Sequence, residues 1–147
     1  MSEENDINHI ISKLITNSEK PKLKVLSKDA LIAIAQKKTK LTFEILSDFL
    51  LKQNPINLPL IRICSDVYLS VIDFMDNDTS YNFFQQLNEY FVKITDVEML
   101  DLWMNICEKF IESKEKAIFA YNHINGKNKC TKLIILKYCI KYIYDEI

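Results

Sequence analysis

The sequence predicts an all-α fold: a single domain over 1–147, built as a right-handed superhelix of seven to eight helices. Three observations carry this. The chain has one glycine and three prolines, too few for the hairpin turns a sheet requires. Its apolar residues recur at three- and four-residue intervals through most of its length. Its 147 residues, 48% hydrophobic and 27% charged, suit one folded globule with a real core. No repeat of solenoid length aligns, which favours a compact stack.

The elements follow in order. Ile7, Ile10, Ile11, Leu14 and Ile15 form the stripe of a first amphipathic helix, which "TNSEKP" interrupts. Pro21 suits the first turn of a second helix, with Leu23, Leu26, Ala30, Leu31 and Ile34 as its inner face. Leu41, Ile45, Leu46, Phe49 and Leu50 mark a third helix ending before "KQNP". Asn57 is the expected cap of a fourth, which runs to about Phe74. Asp76, Asn77 and Asp78 form a polar turn before "SYNFFQQLNEYFVKI". Thr95 and Glu98 have the spacing of a capping box, opening a helix with Leu100, Trp103, Ile106, Cys107 and Phe110. A shorter helix covers about 114–123, stopped by the Asn-Gly at 125–126. In the last helix Leu133, Leu136, Ile140, Ile143 and Ile147 form the packing stripe. Crowded β-branched and aromatic residues in "LIILKYCIKYIY" make a strand the alternative there.

Several function classes drop out. One glycine cannot build a phosphate-cradling loop. Cys64, Cys107, Cys130 and Cys139 form no CxxC and have only His9 and His123 for company, so no metal site is expected. They read as core thiols of a reducing compartment. No serine, cysteine or histidine has the spacing of a nucleophile motif, and Asp73, Asp76 and Asp78 read as turn acids. The expectation is a non-catalytic protein without cofactor. The acidic start "MSEENDINHI" lacks an apolar leader, and no run reaches membrane-spanning length, so an intracellular protein without a membrane partner is expected. Charge is uneven. Residues 13–40 hold eight lysines against Glu19 and Asp29, 41–112 hold twelve acids against four bases, and 113–141 hold seven lysines against Glu115. Solvated faces account for this, with basic ends meeting a polyanion as the sharper reading. Arg62 is the only arginine, which argues against nucleic acid, where bidentate arginine is favoured for phosphate.

Two stretches together resemble the CTD-interacting domains, which bind the tail of RNA polymerase II in mRNA 3′-end processing and transcription termination. "NSEKPKLKVLSKDA" carries Asn17, Ser18, Leu23, Leu26, Ser27 and Ala30 in the order of that family's helix 1–2 junction. "NPINLPLIRICSDVYLSVIDF" resembles its fourth helix, with Lys52, Pro55 and Asp66 at fitting distances. "LDLWMNICEKF" resembles the later helix with its Leu-x-x-Trp. The likeness spans about 7–112. It implies the eight-helix superhelix shared with VHS and ENTH adaptors and a nuclear peptide-binding module. The groove would be lined by Asn17, Ser18, Arg62, Ser65, Asp66, Ser70 and Leu102, with Asp66 bonding the peptide's turn. Arg62 stands where the family has tyrosine, and Ser70 where it has asparagine. Glu98 replaces the arginine with which some members hold a phosphoserine.

The alternative is another helical protein–protein scaffold, either VHS/ENTH-like or a viral Bcl-2-like bundle with a central helix apolar all round. The C-terminal helix also suggests a partner or self-association surface. Tyr138, Tyr142 and Tyr144, with Ile134 and Ile135, widen its apolar surface beyond one neighbour's reach, and Lys132, Lys137 and Lys141 leave a narrow polar strip.

Overall fold

A computed structural model describes residues 3–53, 55–124 and 128–145, and these contain no strand. The chain is all-helical: α1 (Glu3–Ser18), α2 (Lys24–Lys37), α3 (Thr39–Lys52), α4 (Leu58–Val71) followed by a 3₁₀ turn (Ile72–Phe74), α5 (Asn77–Phe91), α6 (Val97–Phe110), α7 (Lys114–His123) and α8 (Lys129–Asp145). The segment considered for a strand is helix. Internal contacts group the chain into two compact units, Met1–Phe83 and Phe84–Ile147, and the boundary falls inside α5.

In the first unit α2 packs on α1, α3 and α4. Its buried positions are Ser27, Leu31 and Ala35, at four-residue spacing. Leu26 falls outside that arc and is 68% exposed, and Leu23 is exposed as well, which corrects their assignment to the inner face; Val25 is exposed too. The stripe was misphased because the buried Ser27 reads as polar. Pro21 precedes the helix in a turn rather than entering its first turn. α4 begins as expected, with the Asn57 side chain accepting from the Leu60 amide at 3.1 Å. Leu60, Ile61, Ile63, Cys64, Ser65, Val67, Tyr68 and Val71 of this helix are all buried. Tyr68 packs edge-on to Phe43 at 5.9 Å and lies 5.3 Å from Phe83, and its hydroxyl donates to the Ser80 carbonyl at 3.0 Å. That bond ties α4 to the first turn of α5. The Asp76 carboxylate accepts from the Thr79 amide and hydroxyl, both at 2.8 Å, and so caps α5. The two bonds hold its carboxyl below the usual aspartate range.

In the second unit Trp103 is fully buried. It stacks on Phe84 at 4.9 Å and on Phe91 at 4.7 Å, and Phe84 stacks in turn on Phe110 at 4.1 Å. The indole N–H donates to the Thr131 hydroxyl at 2.7 Å, which joins α6 to the first turn of α8. Asn128 caps α8 by accepting from the Thr131 amide at 3.2 Å. The Asn-Gly stop at 125–126 lies outside the described residues. The cap of α6 is Asp96, which accepts from the Met99 amide at 3.0 Å, so Thr95 is not the capping residue. Met99 rather than Leu100 enters the core beside Trp103, Ile106 and Phe110.

Two substitutions check these assignments. Trp103→Ala removes the centre of the aromatic stack and is expected to cost about 3–5 kcal/mol in denaturant unfolding. Asp96→Ala is expected to cost about 0.5–2 kcal/mol, while Thr95→Ala stays within about 0.5 kcal/mol of wild type; equal costs would show that the cap is shared.

Candidate functional site

α4 is enclosed by its own unit except along one strip. Arg62 and Ser70 are exposed and Asp66 is half-buried, at four-residue spacing on that strip. An aspartate therefore sits in an otherwise apolar helix because the helix keeps one line of positions open to solvent. α2 packs alongside, and its Lys24 and Lys28, four residues apart, act on Asp66 together with Arg62. Desolvation outweighs their attraction, so burial raises the Asp66 carboxyl above its ordinary value despite Lys28, Arg62 and Lys24. Among the described residues no donor is hydrogen-bonded to its carboxylate; besides the helix's backbone bonds, the Ser70 hydroxyl donates to its backbone carbonyl at 2.9 Å. A carboxylate has about four lone-pair sites. Here they remain available to a ligand. Val25 and Leu26 of the adjoining helix are exposed, but Leu26 is rotated about 200° from Lys28 and does not face Asp66.

The remaining expected groove residues are placed differently. Ser65 is fully enclosed on the inner side of α4, so it cannot touch a ligand without opening the helix packing, and its assignment to the groove is corrected. It is one position before Asp66, which rotates it about 100° toward the core. Asn17 and Ser18 are half-buried where α1 ends: the Asn17 carbonyl accepts from the Lys20 amide at 3.0 Å, and the Ser18 hydroxyl donates to the Ile15 carbonyl at 2.6 Å. Both finish the helix, and the Asn17 side chain lines a shallow hollow on α1 beside His9 and Lys13. Leu102 is half-buried on α6 in the second unit. The structure thus brings together Arg62, Asp66 and Ser70, and adds Lys24 and Lys28. Lys24 and Lys28 were legible as a basic pair at helical spacing. Their approach to Asp66 depends on the pairing of α2 with α4, which no local pattern encodes.

The thiols offer no second site. Cys64 and Cys107 are buried and Cys130 and Cys139 half-buried, all unbridged. Burial pushes the Cys64 and Cys107 thiols well above the ordinary value, which keeps them protonated. Among the described residues no cluster of three or more metal-ligating side chains occurs, and no helix is long and apolar enough to cross a membrane. No protein-family model, no curated protein and no solved structure matches this chain.

The raised Asp66 value has a consequence for stability. A carboxyl whose folded value exceeds its unfolded value binds protons more readily in the native state. Native stability therefore falls as pH rises from the unfolded aspartate value through the raised folded one. Asp66→Asn removes this term. Its stability relative to wild type should rise from acidic to neutral pH, as measured by urea titrations at pH values on both sides of that window; a pH-independent difference would show that Asp66 is well solvated.

Proposed function

We propose that this chain is a non-catalytic peptide-binding module that receives an extended or turned peptide along α2 and α4, with the RNA polymerase II tail as ligand and a nuclear role in mRNA 3′-end processing or termination. One observation carries the reading: Asp66 is half-buried and partly desolvated, yet its carboxylate accepts no hydrogen bond from the described residues. A carboxylate withdrawn from water without internal donors costs stability, and a ligand supplying amide or hydroxyl donors repays that cost. Lys24, Lys28 and Arg62 provide positive charge beside the acceptor, which favours peptides carrying carboxylate or phosphate. The order and spacing of the motifs around Asn17, Asp66 and Trp103 support the polymerase tail as the ligand class.

Titration of the ¹⁵N-labelled chain with plain and phosphorylated polymerase-tail repeats tests this. Shifts are expected in α2 and α4, centred on Lys28 and Asp66. Asp66→Ala should weaken binding by about 1–3 kcal/mol, the range for a hydrogen bond to a charged group, with melting at neutral pH no lower than that of wild type. Absence of shifts with either peptide, or equal binding by Asp66→Ala, would overturn the proposal.

A further inference from the structure

α8 buries Thr131, Ile134 and Ile135, with Tyr138, Cys139 and Tyr142 half-buried on the same side. The Cys139 thiol donates to the Ala117 carbonyl of α7 at 3.5 Å, and the Tyr142 hydroxyl donates to the Ile111 carbonyl at 3.5 Å. The packing face is therefore not the aliphatic stripe expected from sequence. Leu133 and Ile140 are instead 67% and 52% exposed, with Leu136 half-buried between them. Tyr138 and Tyr142 are half-buried and the Tyr144 side chain lies outside the described residues, so the most exposed apolar positions described on α8 are aliphatic.

The exposed stripe has the spacing of a coiled-coil seam. Leu133, Leu136 and Ile140 take positions a, d and a, and the three-four alternation continues in the sequence at Ile143 and Ile147. Lys132 and Lys137 then fall at the flanking g and e positions, with Lys141 one turn beyond Lys137. All three are exposed, and among the described residues none forms an ion pair; Lys137 and Lys141 lie over the Tyr138 ring, each at 5.7 Å. No acid occurs between Lys129 and Tyr142. These charges decide the occupant. A second copy would set lysine against lysine in either orientation, because parallel pairing opposes g to e and antiparallel pairing opposes like positions. An acidic helix would find opposite charges on both flanks.

We propose that the outer face of α8 docks an amphipathic helix of a partner protein, with aliphatic residues at its a and d positions and Glu or Asp at its e and g positions. This site is independent of Asp66, and neither reading depends on the other. The aliphatic stripe supplies most of the affinity and the lysines set partner choice and association rate.

The test uses the full chain and a monomeric synthetic helix with leucine at a and d and glutamate at e and g, followed by isothermal titration calorimetry. The acidic helix is expected to bind, and its counterpart with lysine at e and g is not. Leu133→Ser/Ile140→Ser should lose at least about tenfold in affinity, because central aliphatic anchors dominate such contacts. Both positions are exposed, so far-UV circular dichroism and melting should be unchanged. Lys132→Glu/Lys137→Glu should reverse the preference between the two helices. The proposal is overturned if the acidic helix does not bind, or if neither double variant alters binding. It is also overturned if Leu133 and Ile140 instead drive co-sedimentation with phosphatidylserine vesicles, or a dimer seen by light scattering.

Discussion

The enclosure of α4 is the constraint on which the first unit and its candidate site depend. Eight of its positions are buried, from Leu60 to Val71. Full burial of an aliphatic or aromatic side chain contributes about 1.5–3 kcal/mol, so the rotation of this helix is fixed by many contacts at once. The Tyr68 hydroxyl adds a directional restraint, because its bond to Ser80 is satisfied at one rotation of the helix. Once that rotation is set, the line through Arg62, Asp66 and Ser70 faces outward, with Leu58 and Pro59 exposed at the start of the helix and Leu69 half-buried beside the line. The half-burial of Asp66, and the lysines of α2 that act on it, follow from the packing of its neighbours. A polar group at Ser65 has no such outlet and is carried into the core.

The second unit uses a similar device with different chemistry. Trp103 is held flat between Phe84 and Phe91, and its one donor meets Thr131. A buried indole N–H without a partner would cost about 1–3 kcal/mol, so this bond constrains where the first turn of α8 can lie. Thr131 thereby sets the phase of the whole helix. Leu133, two residues on, is rotated about 200° from it and must point away from the core. The exposed aliphatic stripe of α8 is a consequence of where the tryptophan finds its acceptor.

The helices and most of their ends were legible from local rules. Scarce glycine excluded sheets, Asn57 marked the start of α4, and 114–123 matched α7. What failed was phase. In α2 a buried serine disguised the inner face, so Leu26 was taken for core. In α8 two aliphatic stripes compete, and the one chosen by spacing is not the one selected by Thr131 and the neighbouring helices. Packing of the α4 core face decided the enclosure of Ser65, and the Trp103–Thr131 hydrogen bond helped decide the α8 phase. At α6 two adjacent residues could cap, and Asp96 prevailed over Thr95 because an ionised carboxylate is the stronger acceptor for a helix N-terminus. Of the candidate site, Arg62, Asp66 and Ser70 could be read as one helix line, but the lysines that complete it come from another helix.

The lysine content bears on how either surface could discriminate. A lysine ammonium is a flexible point charge and, unlike arginine, does not impose a planar, two-pronged geometry on its partner. Lys24 and Lys28 beside Asp66, like Lys132 and Lys137 beside the α8 stripe, therefore favour anionic partners and speed encounter without fixing register. Register must come from groups with defined direction or shape. On α4 that group is the Asp66 carboxylate, whose orientation is limited by a buried helix, and on α8 it is the spacing of Leu133, Leu136 and Ile140. If both proposed surfaces bind as argued, they divide the same labour, with mobile charge for attraction and rigidly held groups for selection. A ligand lacking the complementary donor or apolar repeat would be attracted but not retained.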